Sequence, residues 1–141
     1  MTRDKFKLIH SELIMQVQCI EHDLKLIYSG MHSGNFDDNL DMLEKANLGT
    51  VIRKLKDLDY SDGHPDLSKQ DYALLEQIRK IRNYWCHQCF LDYVYINDDY
   101  QRERKFQEIA DRLSRDENRT WDLHEHLQQL RNKMLKRYNR I

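Results

Sequence analysis

Proline and glycine are scarce in this chain: one proline, Pro65, and four glycines, Gly30, Gly34, Gly49 and Gly63, in 141 residues. Sandwiches and barrels turn roughly every dozen residues and draw on those two residue types, so an all-β fold is excluded. Cysteine is also sparse. Cys19, Cys86 and Cys89 make an odd number, which argues against a disulfide framework of the secreted kind. Long apolar runs are missing, because charge interrupts every hydrophobic stretch after a few residues. Neither a signal peptide nor a membrane span is expected, and the chain reads as a cytoplasmic protein. Nor does one sign of charge dominate: 23 Lys and Arg stand against 24 Asp and Glu, a net charge of −1. A surface built throughout to grip nucleic acid is therefore not expected.

The composition instead favours amphipathic helices. A third of the residues are charged, and Leu, Lys, Arg, Glu, Gln and Asp fill most positions. The length suits one domain with one core. Apolar residues recur with the helical period in four segments. The first runs from about Thr2 to Tyr28, with Phe6, Ile9, Leu13, Val17, Ile20, Leu24 and Ile27 in its stripe, and is stopped by the Gly30–Asn35 segment. The second covers about Asp37 to Leu58. After the loop around Gly63-His64-Pro65, Ser68 is placed to cap a third helix with Asp71 as capping-box partner, and that helix is expected to reach Asn97. The fourth spans about Asp99 to Tyr138, with an expected break at Arg115-Asp116-Glu117-Asn118, where apolar periodicity lapses. Short loops between long helices imply an all-α, up-and-down antiparallel bundle of about four helices, one domain over residues 1–141.

Charge is unevenly placed along the chain. Residues 1–100 carry 12 cationic and 17 anionic side chains, a balance of −5, and residues 101–141 carry 11 and 7, a balance of +4. The last eleven residues hold Arg131, Lys133, Lys136, Arg137 and Arg140 without an acid. Cations at a helix C-terminus complement its macrodipole, which explains them without a ligand.

The third helix is apolar on two sides. Leu74, Leu75, Ile78, Ile81, Trp85, Cys89 and Ile96 form one face; Asn83, His87, Phe90, Leu91 and Val94 cluster on the opposite one. A helix apolar on two faces is buried on two faces, so the second is expected to meet another helix or a partner subunit.

Within that helix stands Arg82-Asn83-Tyr84-Trp85-Cys86-His87. An arginine, a polar residue after it and a histidine a few positions on, carried by a helical bundle, resemble the signature of the HEPN family. The resemblance is specific over about ten residues. It implies a metal-independent endoribonuclease of the toxin or phage-defence type, active as a homodimer in which Arg and His of both subunits share one cleft. It also implies an RNA substrate, an antitoxin protein as a partner, and no cofactor or metal. Arg82, Asn83 and His87 would be the catalytic residues, with Arg79, Lys80 and Tyr84 contacting RNA. A second match at the same spacing, Arg119 to His124, lacks the polar residue after the arginine. Toxin members often carry a tyrosine two residues after the histidine as a target for modification; Cys89 stands there, which puts that mode of control in doubt.

The residue types fit the chemistry. Cleavage of RNA without a metal needs a base for the ribose 2′-OH proton and a cation for charge gathering on the phosphate. Histidine exchanges protons near neutrality, and arginine presents a donor fork matched to phosphate oxygens. Positions five apart on one helix point about 140° from each other, so Arg82 and His87 of one chain converge only through a kink or a second subunit. Asn83 and His87 are one turn apart. Other readings remain open. His87 can be a packed histidine, Cys86-His87-Gln88-Cys89 lacks the further ligands of a structural zinc site, and Tyr84, Trp85, Tyr93 and Tyr95 can be core rather than base-stacking residues. A non-catalytic helical dimerisation or binding module is the alternative to the ribonuclease.

Overall fold

The computed structural model describes the chain from Met1 to Ile141, and its regular structure is all helical: α1 (Arg3–Met31), α2 (Phe36–Asp41), α3 (Leu48–Tyr60), α4 (Lys69–His87) and α5 (Asp99–Arg137). Each helix starts where a side-chain oxygen takes one of the backbone N–H groups that the first turn leaves free. Thr2, Asn35, Asn47, Ser68 and Asp98 supply those oxygens. At α4 the expected capping box is complete: the Asp71 amide donates to Ser68 Oγ, and the Ser68 amide donates to Asp71 Oδ2.

Three expectations about the helices are corrected. The single helix expected over Asp37–Leu58 is two, α2 and α3, separated by the turns after Asp41. The Asn39 amide nitrogen donates to the carbonyls of Ser29 and His32, both at 3.1 Å, which folds α2 back onto the end of α1. Lys25 Nζ then donates to the Glu44 carbonyl, so the chain retreats along α1 before α3 begins. That extra reversal changes the sense of every later helix. The pairings Arg3–Glu103, Gln16–Glu117, Asp23–Arg131 and, just past the end of α5, Gly30–Arg140 advance together along both helices, so α1 and α5 run parallel. Pairings of α4 with α5, Asp71–His126 and Trp85–Asp116, run in opposite senses, and that pair is antiparallel. At Gly30 the two parallel helices come so close that an added Cβ would lie 2.8 Å from Leu135 Cδ2.

The expected break in α5 does not occur; the helix is continuous over 39 residues. Apolar periodicity lapses at Asp116-Glu117 because those side chains face inward to polar partners. Asp116 Oδ2 accepts from Trp85 Nε1 at 2.9 Å, Glu117 Oε1 accepts from Gln16 Nε2 at 3.1 Å, and Thr120 Oγ1 donates to the Asp116 carbonyl. These bonds satisfy buried polar groups that the low-polarity interior would otherwise penalise.

The third correction concerns α4, which ends at His87 instead of Asn97. The Trp85 carbonyl is taken out of the helical ladder: it faces His10 Nε2 at 2.7 Å and accepts from Cys89 Sγ at 3.4 Å. The Cys89 amide turns to the Tyr84 carbonyl instead, and residues 88–95 continue as turns. Phe6, His10 and Phe106 from α1 and α5 close around the end of α4, with Phe6 6.3 Å from Trp85 and 5.2 Å from Phe106, ring centre to centre. Trp85 itself is buried.

Candidate functional site

The C-terminal end of α4 is held from three sides. Trp85 anchors it to α5 through Asp116 and to α1 through His10. Tyr84, its neighbour, lies under the Arg112 guanidinium at 3.6 Å from the ring centre and donates its hydroxyl proton to Asp92 at 2.8 Å. Burial, and then the Asp92 carboxylate, push the Tyr84 phenol well above its ordinary range. One face of that ring is therefore occupied, and its hydroxyl is committed within the chain.

The motif residues that flank these anchors, Arg82 and Asn83 before them and His87 after, are free. Arg82 and Asn83 are half-buried and His87 is exposed, and none of the three makes a side-chain hydrogen bond or ion pair within the chain. Arg82 and His87 do not meet each other. Arg79 is already paired, in a two-pronged bond to Glu76 one turn earlier. Lys80 is exposed. Cys86 is exposed as well; partial burial raises its thiol pKa, and the Arg82 guanidinium one turn before draws it partly back. Cys89 is buried, which pushes its thiol up to about 11. No three His, Cys, Asp or Glu side chains are grouped so as to hold a metal ion.

The second apolar face is real in composition but is not a helix face. Because α4 ends at His87, Phe90, Leu91 and Val94 lie in the turns that follow, 38, 53 and 52% exposed. Phe90 keeps one edge against Phe6 and His10, at ring distances of 5.9 and 5.2 Å. The result is an uncovered apolar patch directly after the motif.

Two other groupings escaped the sequence reading. Asp23, on α1, is 3% exposed and accepts from Arg131 Nη1 of α5 at 2.7 Å, with His124 Nε2 3.8 Å from its other oxygen. A signal existed: Asp23 interrupts the apolar stripe between Ile20 and Ile27, where a carboxylate requires a partner. His124, the histidine of the second Arg-to-His match, thus faces a carboxylate at a helix interface. The other grouping is an open groove of about 500 Å³ between α3 and α4 that gathers Arg53, Lys56, Lys69 and Arg79. Those cations come from separate helices, so no run in the sequence announces them.

No protein-family model, curated protein or solved structure matches this chain. All of the functional weight rests on its own residues.

Proposed function

We propose that this chain is a HEPN-like, metal-independent endoribonuclease of the toxin or defence type, with one composite site built from Arg82, Asn83 and His87 of two subunits. The observation that carries the reading is the intact motif at the end of α4, where these three side chains are uncommitted while their neighbours Arg79, Tyr84 and Trp85 are all engaged. The apolar patch of Phe90, Leu91 and Val94 beside His87 supports a homodimer, since exposed apolar surface next to polar groups is typical of an interaction site.

In this reaction His87 takes the proton from a ribose 2′-OH, and the 2′ oxygen attacks the adjacent phosphorus. Arg82 donates to the non-bridging oxygens as negative charge grows on them. The bond to the 5′ oxygen breaks, and the partner subunit's His87 returns a proton to that leaving group. The products are a 2′,3′-cyclic phosphate and a free 5′-OH. Asn83, one turn before His87, orients the imidazole. A second copy solves the geometric problem of positions five apart on one helix, because Arg82 of one chain meets His87 of the other.

The test is incubation of the wild-type protein and His87→Ala with total cellular RNA, with the new ends read by sequencing. Cyclic-phosphate ends produced by the wild type alone are the expected result. Equal yields from both proteins, or none from a confirmed dimer, would leave the non-catalytic binding module as the better reading.

A further inference from the structure

The near-neutral net charge of the chain raises the question of where an RNA strand would be held. The groove between α3 and α4 supplies a local answer. It is lined by four cations, Arg53, Lys56, Lys69 and Arg79, against one carboxylate, Glu76, which is itself engaged by Arg79. The local balance is therefore +3, within the first hundred residues, whose total is −5. Arg53, Lys56 and Lys69 are exposed, and none of them has a carboxylate partner within ion-pair distance. Repulsion among clustered cations is tolerated at a surface where an anion relieves it.

The groove also carries stackable rings. Tyr60 is 39% exposed, and its ring centre lies 5.9 Å from that of Tyr72. Tyr72 is fixed, because its hydroxyl donates to Asp59 Oδ2 at 2.7 Å, and the same carboxylate takes the Asp66 and Leu67 amides. Lys56 Nζ sits 6.0 and 5.7 Å from the two ring centres. Cations alternating with an exposed aromatic are the surface on which single-stranded nucleic acid binds, phosphates on the cations and bases on the rings.

The direction of the groove follows from helix periodicity. Its α4 wall is Lys69, Tyr72, Ala73, Glu76 and Arg79, a stripe at i, i+3, i+4 and i+7 spacing. The next two steps of four residues on that stripe are Asn83 and His87. By the rise of an α-helix, Lys69 to Arg79 spans about 15 Å and Arg79 to His87 about 12 Å more. On the α3 side, Gly49 keeps the track open: an added Cβ would lie 3.3 Å from Arg79 Cδ, so the arginine stem crosses over the glycine.

We propose that the α3–α4 groove is the binding track for single-stranded RNA, with phosphates on Arg53, Lys56 and Lys69 and a base on Tyr60. Its course toward His87 rests on the ribonuclease reading; the binding itself does not.

The probe is a fluorescein-labelled 12-nucleotide oligouridylate with 2′-O-methyl riboses, which binds but has no 2′-OH to react. Anisotropy at several salt concentrations gives affinity and salt slope for the intact chain. Arg53→Ala with Lys56→Ala is expected to weaken binding about tenfold or more at low salt and to reduce the slope of log K against log salt by about 0.7 per lost phosphate contact. Tyr60→Ala is expected to cost about fivefold or more, the loss of one stacked base. Arg53, Lys56 and Tyr60 are all solvent-exposed, so helicity by circular dichroism should not change. Unchanged affinity and slope in the Arg53, Lys56 double variant would overturn the proposal. So would displacement of the oligonucleotide by ATP at equal phosphate concentration, which would make the groove a mononucleotide site. Groove-dependent binding without cleavage of natural RNA sustains the track and defeats the ribonuclease reading; cleavage with groove-independent binding does the reverse.

Discussion

Asp23 and Arg131 lie 108 positions apart in sequence and 2.7 Å apart in the fold, joining the last third of α1 to the last third of α5. The carboxylate is 3% exposed and its second oxygen has no hydrogen-bond partner. Removing the guanidinium would leave that charge buried without its hydrogen-bonded counter-ion, with only His124 Nε2 nearby at 3.8 Å. Arg131→Ala is expected to destabilise the fold by about 3 kcal/mol, the lower end of what breaking a buried pair costs, since the arginine keeps some solvent contact. Urea unfolding of Arg131→Ala and of an Asp23→Leu, Arg131→Met double variant checks this. The double variant should recover most of the loss, because no lone charge remains.

The exposed apolar turn after α4 yields a prediction about assembly. Phe90→Asp or Val94→Asp is expected to convert a homodimer into a folded monomer, since a charge buried in an interface without a partner is costly. Light scattering at tens of micromolar decides the matter. A monomeric wild type would remove the shared site on which the proposed cleavage depends.

Removal of either proposed catalytic group should abolish the proposed cleavage while leaving the fold intact. On the proposed mechanism His87→Ala would remove the base and Arg82→Ala the phosphate clamp, and each is expected to cost on the order of 100-fold or more. Neither side chain has an intrachain partner, so unfolding midpoints should stay close to the wild type. Arg119→Ala, at an exposed position, is the appropriate control and should change neither quantity. His124→Ala is not a neutral control, because His124 faces Asp23; it should lower stability and leave cleavage in place.

The three thiols should react in an order set by exposure and acidity. Cys86 is exposed and Cys19 half-buried, whereas Cys89 is buried with its thiol pushed up to about 11. Alkylation at pH 8 followed by peptide mass analysis should label Cys86 first and Cys89 only on unfolding, because the thiolate is the reacting form. The raised pKa also sets a sign. Between the unfolded value near 9 and about 11, the native state holds a proton that the unfolded state has released. This group's contribution to stability is complete below pH 9 and is lost as pH rises toward 11. Early labelling of Cys89 at pH 8 would contradict the burial that produces the shift.

Much of the fold was legible along the chain. The stripe from Phe6 to Ile27, the scarcity of turn residues and the Ser68–Asp71 capping box lead to long helices without any tertiary information, because periodicity and caps are local properties. The motif at residues 82–87 is likewise local, and so is its chemistry as residue types. The errors came wherever a distant side chain competed for the backbone or filled a core position. His10 draws the Trp85 carbonyl out of the ladder and ends α4 ten residues early. Asn39 returns α2 onto α1 and splits the second expected helix. Trp85 and Gln16 satisfy Asp116 and Glu117, so a stretch that reads as a helix break lies in the middle of an unbroken helix.

What the sequence by itself determined, then, is the all-helical class, the existence of the long helices and the identity of the motif residues. Tertiary structure alone decided the parallel pairing of α1 with α5, the burial of Asp23 beside Arg131, and the gathering of Arg53 and Lys56 of α3 with Lys69 and Arg79 of α4 in one groove. The physical reason is range. Helix propensity and amphipathic spacing act over one or two turns, whereas ion pairs, carbonyl capture and groove charge depend on which residues the folded chain brings within a few ångströms of one another.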